Sequence, residues 1–207
     1  MSDPLAAPDS RASTWNVANA LTVLRLVLVP LFVAALFADD GHDHGWRLAA
    51  FGVFAVASYT DRIDGQIARS RNLVTPFGKL VDPLADKALT GAALIGLSAL
   101  GDLPWWITVL VMTREIGVTL LRFWVIRHGV IPASRGGKLK TLLQGLAIGF
   151  YLLPLTGWAA TGRAWLMAAA VAVTVITGVD YVGRALTFRQ TSERAAMKRA
   201  RKAAAQK

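Results

Sequence analysis

Between apolar segments of this 207-residue chain stand four aspartates, Asp61, Asp64, Asp82 and Asp86. Spacings of three and four residues place each pair on one face of a helix. Four carboxylates gathered in one pocket would repel one another, so either protons or cations must neutralise them. Oxygen ligands without Cys or His suit Mg²⁺ or Mn²⁺. Four carboxylates can hold two such ions, and two ions held close together form a clamp for phosphoryl transfer.

Small residues and one arginine accompany the aspartates. Gly65, Ala68 and Gly78 leave helix faces bare, so that a bulky, flat ligand can approach the backbone. Arg69 follows Gly65 by one helical turn and is placed to meet phosphate oxygens. The alternative is that the Gly and Ala residues only let helices pack closely. Their position beside four aspartates favours a ligand site.

The elements that would position these residues are membrane helices. Hydrophobic residues make up 54% of the chain and charged residues 17%, with a mean hydropathy of +0.44. A large soluble helical core would need more polar surface than this. A bilayer-spanning helix needs roughly 20 residues, and in lipid the backbone must satisfy its own hydrogen bonds, which favours helices. The sequence predicts an all-α integral membrane protein with six transmembrane helices and the active site at the cytoplasmic side. Spans are predicted near residues 18–38, 46–69, 77–99, 104–126, 139–158 and 165–186.

Lysine and arginine alternate between the connections of these spans. The second and fourth connections and the C-terminal tail are rich in them, whereas the first, third and fifth are nearly free of them. The positive-inside rule therefore predicts a multi-pass protein of the cell membrane with both termini in the cytoplasm. Anionic lipid headgroups explain the net charge of +10 more simply than nucleic acid does. The absence of cysteine excludes disulfides, thiolate metal sites and cysteine nucleophiles.

Domain limits follow from the same pattern. Residues 1–14 are predicted as a cytoplasmic N-terminal segment, 15–186 as the six-helix domain and 187–207 as a basic cytoplasmic tail. Spans two and three are antiparallel neighbours, so the four aspartates are expected at the same depth, just inside the cytoplasmic boundary.

The complete spacing resembles the signature of the CDP-alcohol phosphatidyltransferases. It reads Asp61-x₂-Asp64-Gly65-x₂-Ala68-Arg69-x₈-Gly78-x₃-Asp82-x₃-Asp86. The resemblance implies a homodimer of six-helix protomers that transfers a phosphatidyl group from CDP-diacylglycerol to an alcohol and releases CMP. It implies two divalent metal ions, Mg²⁺ or Mn²⁺, bound by the four aspartates, with Asp86 as general base. It also implies a set of residues that hold the CDP-lipid, namely Asp64, Gly65, Ala68, Arg69 and Gly78.

Cationic residues at membrane depth bear on the acceptor alcohol. Ionisable groups there are functional candidates by default, and a phosphate on the acceptor would use Arg114, Lys138, Lys140 and Arg184. Glu115 is predicted to pair with a nearby arginine, and snorkelling is an alternative for Arg184. The segments NVANALTVLRLVLVPLF, TREIGVTLLRF and ASRGGKLKTLLQ resemble the branch of the family whose acceptor is glycerol 3-phosphate. The nearest rival acceptors are inositol phosphate and phosphatidylglycerol, the second of which would give cardiolipin.

Two functions outside the enzyme class fit parts of the pattern. A cation transporter would spread ionisable residues through the membrane and show repeat symmetry, whereas these carboxylates gather at one side. The segment DDGHDH, residues 39–44, offers His and Asp ligands for metal storage or sensing. A solvated loop outside the membrane explains it more simply, because no second cluster completes a site.

Overall fold

Every described element is helical. The computed structural model describes the backbone of residues 17–70, 76–126 and 135–204, and the side chains of residues 20–60, 87–121, 137–185 and 187. Within these ranges there is no β-strand, and each predicted span lies mainly within one α-helix. The elements are α1 (Val17–Phe37), a short 3₁₀ helix (Ala38–Gly41), α2 (His44–Ser70), α3 (Pro76–Ala99), α4 (Trp105–Ile126), α5 (Arg135–Leu152) and α6 (Gly157–Ala204).

The ends of α5 and α6 differ from the predicted spans. Helix α5 ends at Leu152 because Pro154 lacks an N–H and disfavours helical backbone in the residue before it. Gly157 begins α6 with a φ of +59°, a left-handed conformation that glycine adopts without steric cost. The same helix then continues to Ala204, so the first part of the predicted basic tail is helical.

The chain divides into two compact units, Met1–Ala93 and Leu94–Lys207. In the first unit α1 packs against α2. The buried side chains of α2 recur at positions 47, 50, 54 and 57, the three-four spacing of a helix that buries one face. Phe32 and Phe54 meet with ring centroids 6.0 Å apart and planes tilted by 50°, a favourable aromatic geometry.

The connection between α1 and α2 is organised by local polar contacts. Asp39 and Asp40 adopt positive φ angles of 50° and 54°, and a His42 ring nitrogen donates to the Asp40 carbonyl at 2.8 Å. Asp43 accepts from the backbone N–H of Trp46 at 2.9 Å, which caps the first turn of α2. No group of three or more His, Cys, Asp or Glu side chains able to hold a metal occurs among the described residues. The Asp43 carboxylate thus caps α2, and Asp39 and Asp40 contribute backbone carbonyls to the turn.

In the second unit α6 packs against both α4 and α5. Near the α5–α6 connection the Arg163 guanidinium lies 4.9 Å from the centroid of the Tyr151 ring, a cation–π contact. Near the α3–α4 connection Thr108 donates to the Leu94 carbonyl at 3.1 Å and accepts from the Ser98 hydroxyl at 2.7 Å. These hydrogen bonds join α3 to α4 within the second unit.

Membrane character is carried most clearly by two helical segments. Within the described residues, Ala20–Gly41 and Gly157–Ala185 are long and apolar enough to cross a membrane, and Lys87–Ala99 is a shorter apolar stretch. Helices α1 to α5 contain between 18 and 27 residues. At 1.5 Å per residue they are about 27 to 40 Å long, against a hydrocarbon core of roughly 30 Å. The other four predicted spans stay predictions.

Candidate active site

The aspartate motif lies on two consecutive helices, as the spacing predicts. Asp61 and Asp64 belong to α2, which is helical as far as Ser70. Asp82 and Asp86 belong to α3, which begins at Pro76 and continues through Pro83. A proline at the first helical position suits α3, because the N–H it lacks would have no partner there.

The remaining motif positions follow the same division. Gly65, Ala68 and Arg69 are carried by α2 and Gly78 by α3. The side chains of all eight motif residues lie outside the described ones, so their roles stay predictions. The predicted metal ligands are all carboxylate oxygens, and the aspartates that carry them are three and four residues apart on their helices. That chemistry fits hard divalent cations such as Mg²⁺ and Mn²⁺.

A charged cluster lies within the second unit. Glu115 on α4 accepts through Oε1 from Lys140 Nζ on α5 and from Arg114 Nη1, the latter at 3.2 Å. The predicted pairing of Glu115 with an arginine is therefore present, and a lysine joins it. Exposed side-chain fractions are 16% for Arg114, 18% for Glu115 and 7% for Lys140. Ion pairs at this depth are screened less than surface pairs.

Arg114 is held by α6 as well as by Glu115. Its Nη2 donates to the Thr177 hydroxyl at 3.1 Å, and that hydroxyl donates in turn to the Val173 carbonyl at 2.7 Å. The proton of Thr177 is thus directed to the backbone, which leaves its oxygen lone pairs for the guanidinium. Gly178 provides the space: a Cβ there would lie 3.1 Å from Arg114 Cγ.

Two further polar side chains lie one turn from this cluster. Gln144 follows Lys140 by four residues on α5, and Thr174 precedes Thr177 by three on α6; both are buried. In the described part of the chain, Gln144 Oε1 and Thr174 Oγ1 have no hydrogen-bond partner. Buried polar atoms are nearly always bonded to protein or water. The seam of α5 and α6 is therefore polar beside the cluster, and it becomes apolar further along at Met167, Ala170, Ala147, Ile148 and Leu152.

Of the four predicted acceptor-binding residues, only two lie together in the structure. Arg114 and Lys140 converge on Glu115, whereas Lys138 is exposed and lies two residues from Lys140, a spacing that turns it to another helix face. Arg184 is also exposed and pairs with Asp180 at 3.0 Å. Sequence reasoning missed Thr177 and Gly178, which belong to no motif. Their signal is the three-four spacing of buried residues along α6.

The family model of the CDP-alcohol phosphatidyltransferases matches residues 15–176. The chain belongs to the CDP-alcohol phosphatidyltransferase family; it is a transferase of phospholipid biosynthesis, in a membrane-bound family that generally uses divalent metal ions.

Curated relatives cover most of the chain. Over 176 residues it is 60% identical to the "Probable phosphatidylglycerophosphate synthase" of Mycobacterium tuberculosis, covering 85% of this chain and 84% of that protein. It is 39% identical over 149 residues to the "CDP-diacylglycerol--glycerol-3-phosphate 3-phosphatidyltransferase" of Bacillus subtilis, covering 67% and 77% respectively. A protein of the same name from Rickettsia felis is 36% identical over 172 residues, covering 80% and 93%.

Proposed function

We propose that this chain transfers the phosphatidyl group of CDP-diacylglycerol to glycerol 3-phosphate, giving phosphatidylglycerophosphate and CMP. The observation that carries the proposal is the eight-residue motif between Asp61 and Asp86, whose members are all carried by α2 and α3. Relatives whose names specify this reaction, or its product, support the choice of glycerol 3-phosphate as acceptor.

The aspartates supply the chemistry of the transfer. Two Mg²⁺ or Mn²⁺ ions held by Asp61, Asp64, Asp82 and Asp86 would neutralise charge on the diphosphate and on the departing CMP. Asp86 accepts the proton of the attacking hydroxyl. A bond forms between the acceptor oxygen and the phosphatidyl phosphorus, and the phosphoanhydride bond to CMP breaks.

The other motif residues bind the donor lipid. Gly65, Ala68 and Gly78 have at most a methyl side chain, so the cytidine and diphosphate can approach the helix backbone. Arg69 meets phosphate oxygens, for which a guanidinium is well suited. Asp64 contributes to donor binding in addition to its role as metal ligand.

The acceptor's phosphate is bound by the cations of the second unit. Arg114 and Lys140 both reach one carboxylate oxygen of Glu115, so both can reach a phosphate oxygen at a similar place. Phosphate accepts short, charge-assisted hydrogen bonds from both kinds of cation. Lys138 and Arg184 are exposed and act more weakly, by attracting the anionic acceptor.

Six helices cross the cell membrane in this proposal, with both termini and the motif at the cytoplasmic side. Orientation rests on the distribution of Lys and Arg. Exposed tryptophans support the proposed membrane boundaries, because tryptophan is enriched at both membrane–water interfaces. Four of them lie in the first two or three residues of α2, α4 and α6, the helix ends predicted to face outward. They are Trp46, Trp105, Trp106 and Trp158, between 49% and 89% exposed.

A homodimer is proposed on the implication of the family. Helix α4 presents an apolar groove of about 510 Å³, lined by Val109, Met112, Thr113, Ile116, Gly117 and Leu120. Thr113 and Gly117 are small and one turn apart, which allows a second helix to approach closely. In this cysteine-free chain, Thr113→Cys should form a disulfide-linked dimer on oxidation. A purely monomeric product would reject this face.

The function is tested by CMP release from the purified protein in detergent with CDP-diacylglycerol and a panel of acceptors. Release with glycerol 3-phosphate, and not with inositol phosphate or phosphatidylglycerol, is the expected result. Chelation of divalent ions should stop the release and Mg²⁺ or Mn²⁺ should restore it. CMP release with another acceptor alone would reassign the substrate, and no release with any acceptor would reject the function.

A further inference from the structure

Glu115 brings two cations to a single point. Its Oε1 atom accepts from both Lys140 Nζ and Arg114 Nη1, and all three side chains are largely buried. We propose that Glu115 is an internal counter-anion: it occupies the place of the acceptor's phosphate and yields Arg114 and Lys140 to that phosphate when the acceptor binds. The inference rests on the proposed function, since it takes the acceptor to carry a phosphate.

The two cations have support other than Glu115. Arg114 donates to Thr177 at 3.1 Å and packs against α6 at Gly178. Lys140 is buried to 5% relative exposure on α5, so the packing of its stem fixes where the ammonium can lie. Removal of the carboxylate charge therefore leaves both cations near their present positions.

Exchange of one anion for another keeps the cations neutralised in both states. A buried charge without a partner is costly, so a site with two inward-facing cations needs an anion before the acceptor arrives. Glu115 meets both cations through one oxygen, whereas a phosphate dianion offers three oxygens and more charge. Phosphate is accordingly able to displace the carboxylate.

The same exchange discriminates between acceptors. An alcohol without a phosphate brings no replacement anion, so it leaves Glu115 on Arg114 and Lys140. Glu115 then acts as the repulsive element that rejects such alcohols. It is a specificity-determining residue and takes no part in the bond changes.

A purely supporting role for Glu115 predicts the opposite change in acceptor KM when the carboxylate is removed. If the carboxylate only held the cations in place, its loss would weaken acceptor binding. If it competes with phosphate, its loss strengthens acceptor binding. The direction of the change in acceptor KM therefore decides between the two.

The test is Glu115→Gln in the full chain. The KM for glycerol 3-phosphate should fall by about tenfold, the equivalent of one charged interaction of about 1.4 kcal/mol, while kcat and the KM for CDP-diacylglycerol stay unchanged. Inorganic phosphate should inhibit this variant at lower concentration and raise its thermal unfolding midpoint more than that of the wild type. Asp40→Asn removes one acidic charge from the α1–α2 connection and serves as the charge-matched control.

Each outcome bears on one claim. If the wild type releases no CMP with glycerol 3-phosphate, the proposed function fails, and the phosphate-dependent thermal shift still tests the counter-anion. A raised acceptor KM, or an unchanged response to inorganic phosphate, overturns the counter-anion role. Glu115→Asp, one methylene shorter, should change KM in the same direction by less. Failure of both variants to fold would also overturn it, because a carboxylate at the position reached by glutamate would then be needed for the fold itself.

Discussion

Arg114 packs against α6 at Gly178, so a substitution of Gly178 tests whether the position of Arg114 matters for acceptor binding. A Cβ added at Gly178 would lie 3.1 Å from Arg114 Cγ and 3.5 Å from its Nε. The 3.1 Å contact requires Arg114 to move by a few tenths of an ångström, whereas 3.5 Å is an ordinary van der Waals distance. The hydrogen bond from Arg114 to Thr177, now 3.1 Å, would then approach or pass the usual limit for such a bond.

The expected loss of affinity for glycerol 3-phosphate follows from the weakening of that hydrogen bond. A hydrogen bond to a charged group is worth about 1.5–3 kcal/mol, and the low end applies because the contact of Arg114 with Glu115 remains. Gly178→Ala should therefore raise the KM for glycerol 3-phosphate by about tenfold. Alanine is also a better helix former than glycine by about 1 kcal/mol, which offsets most of that loss in the folded state, so the thermal unfolding midpoint should change little.

The assay is CMP release in detergent over a range of glycerol 3-phosphate at fixed CDP-diacylglycerol, with a thermal unfolding scan of each variant. Gly162→Ala is the matched control, because Gly162 lies on the same helix and an added Cβ would meet nothing within 4 Å. Equal effects of the two substitutions on acceptor KM, or a rise in the KM for the lipid donor, would refute the reasoning.

Three further predictions concern the base, the cations and the orientation. Asp86→Ala should lower CMP release by about 10²- to 10⁴-fold, the usual contribution of a general base; full activity in that variant would reject the assignment. Lys140→Met should raise the KM for glycerol 3-phosphate by about tenfold and Lys138→Ala by much less; the reverse order would contradict the binding role assigned to Lys140. In the cysteine-free chain, His42→Cys should react with a membrane-impermeant maleimide on intact cells and Gln206→Cys only after permeabilisation. Labelling of both from outside would reject the orientation.

The sequence predicted the helices well because their signals are local. Apolar runs separated by short polar connections mark α1 to α4 to within two residues of the predicted spans. The spans agree less well with α5 and α6: the fifth predicted span extends past Pro154, and the sixth, residues 165–186, covers only the middle of α6. Proline acts on one residue's backbone, so the correct end was available from local chemistry.

The cationic cluster could be predicted only as a set of residue types. The types and depths of Arg114, Glu115 and Lys140 indicated charges that must be paired, and the pairing of Glu115 with arginine followed from adjacency. Nothing in the segment SRGGKLKTLLQ distinguishes Lys138 from Lys140. One is exposed and the other buried because α5 packs against α6 along one particular face.

Residue order alone therefore indicated the reaction class, because the spacing of eight residues resembles the family signature and its four carboxylates suit a divalent-metal site for phosphoryl transfer. Tertiary structure decided that Arg114 and Lys140 both contact Glu115, and that Gly178 leaves space for Arg114. Helical periodicity assigns residues to faces, but the rotation of each helix about its own axis depends on its neighbours. That rotation turns Lys140 to Glu115, leaves Lys138 exposed, and makes Gly178 the seat of Arg114.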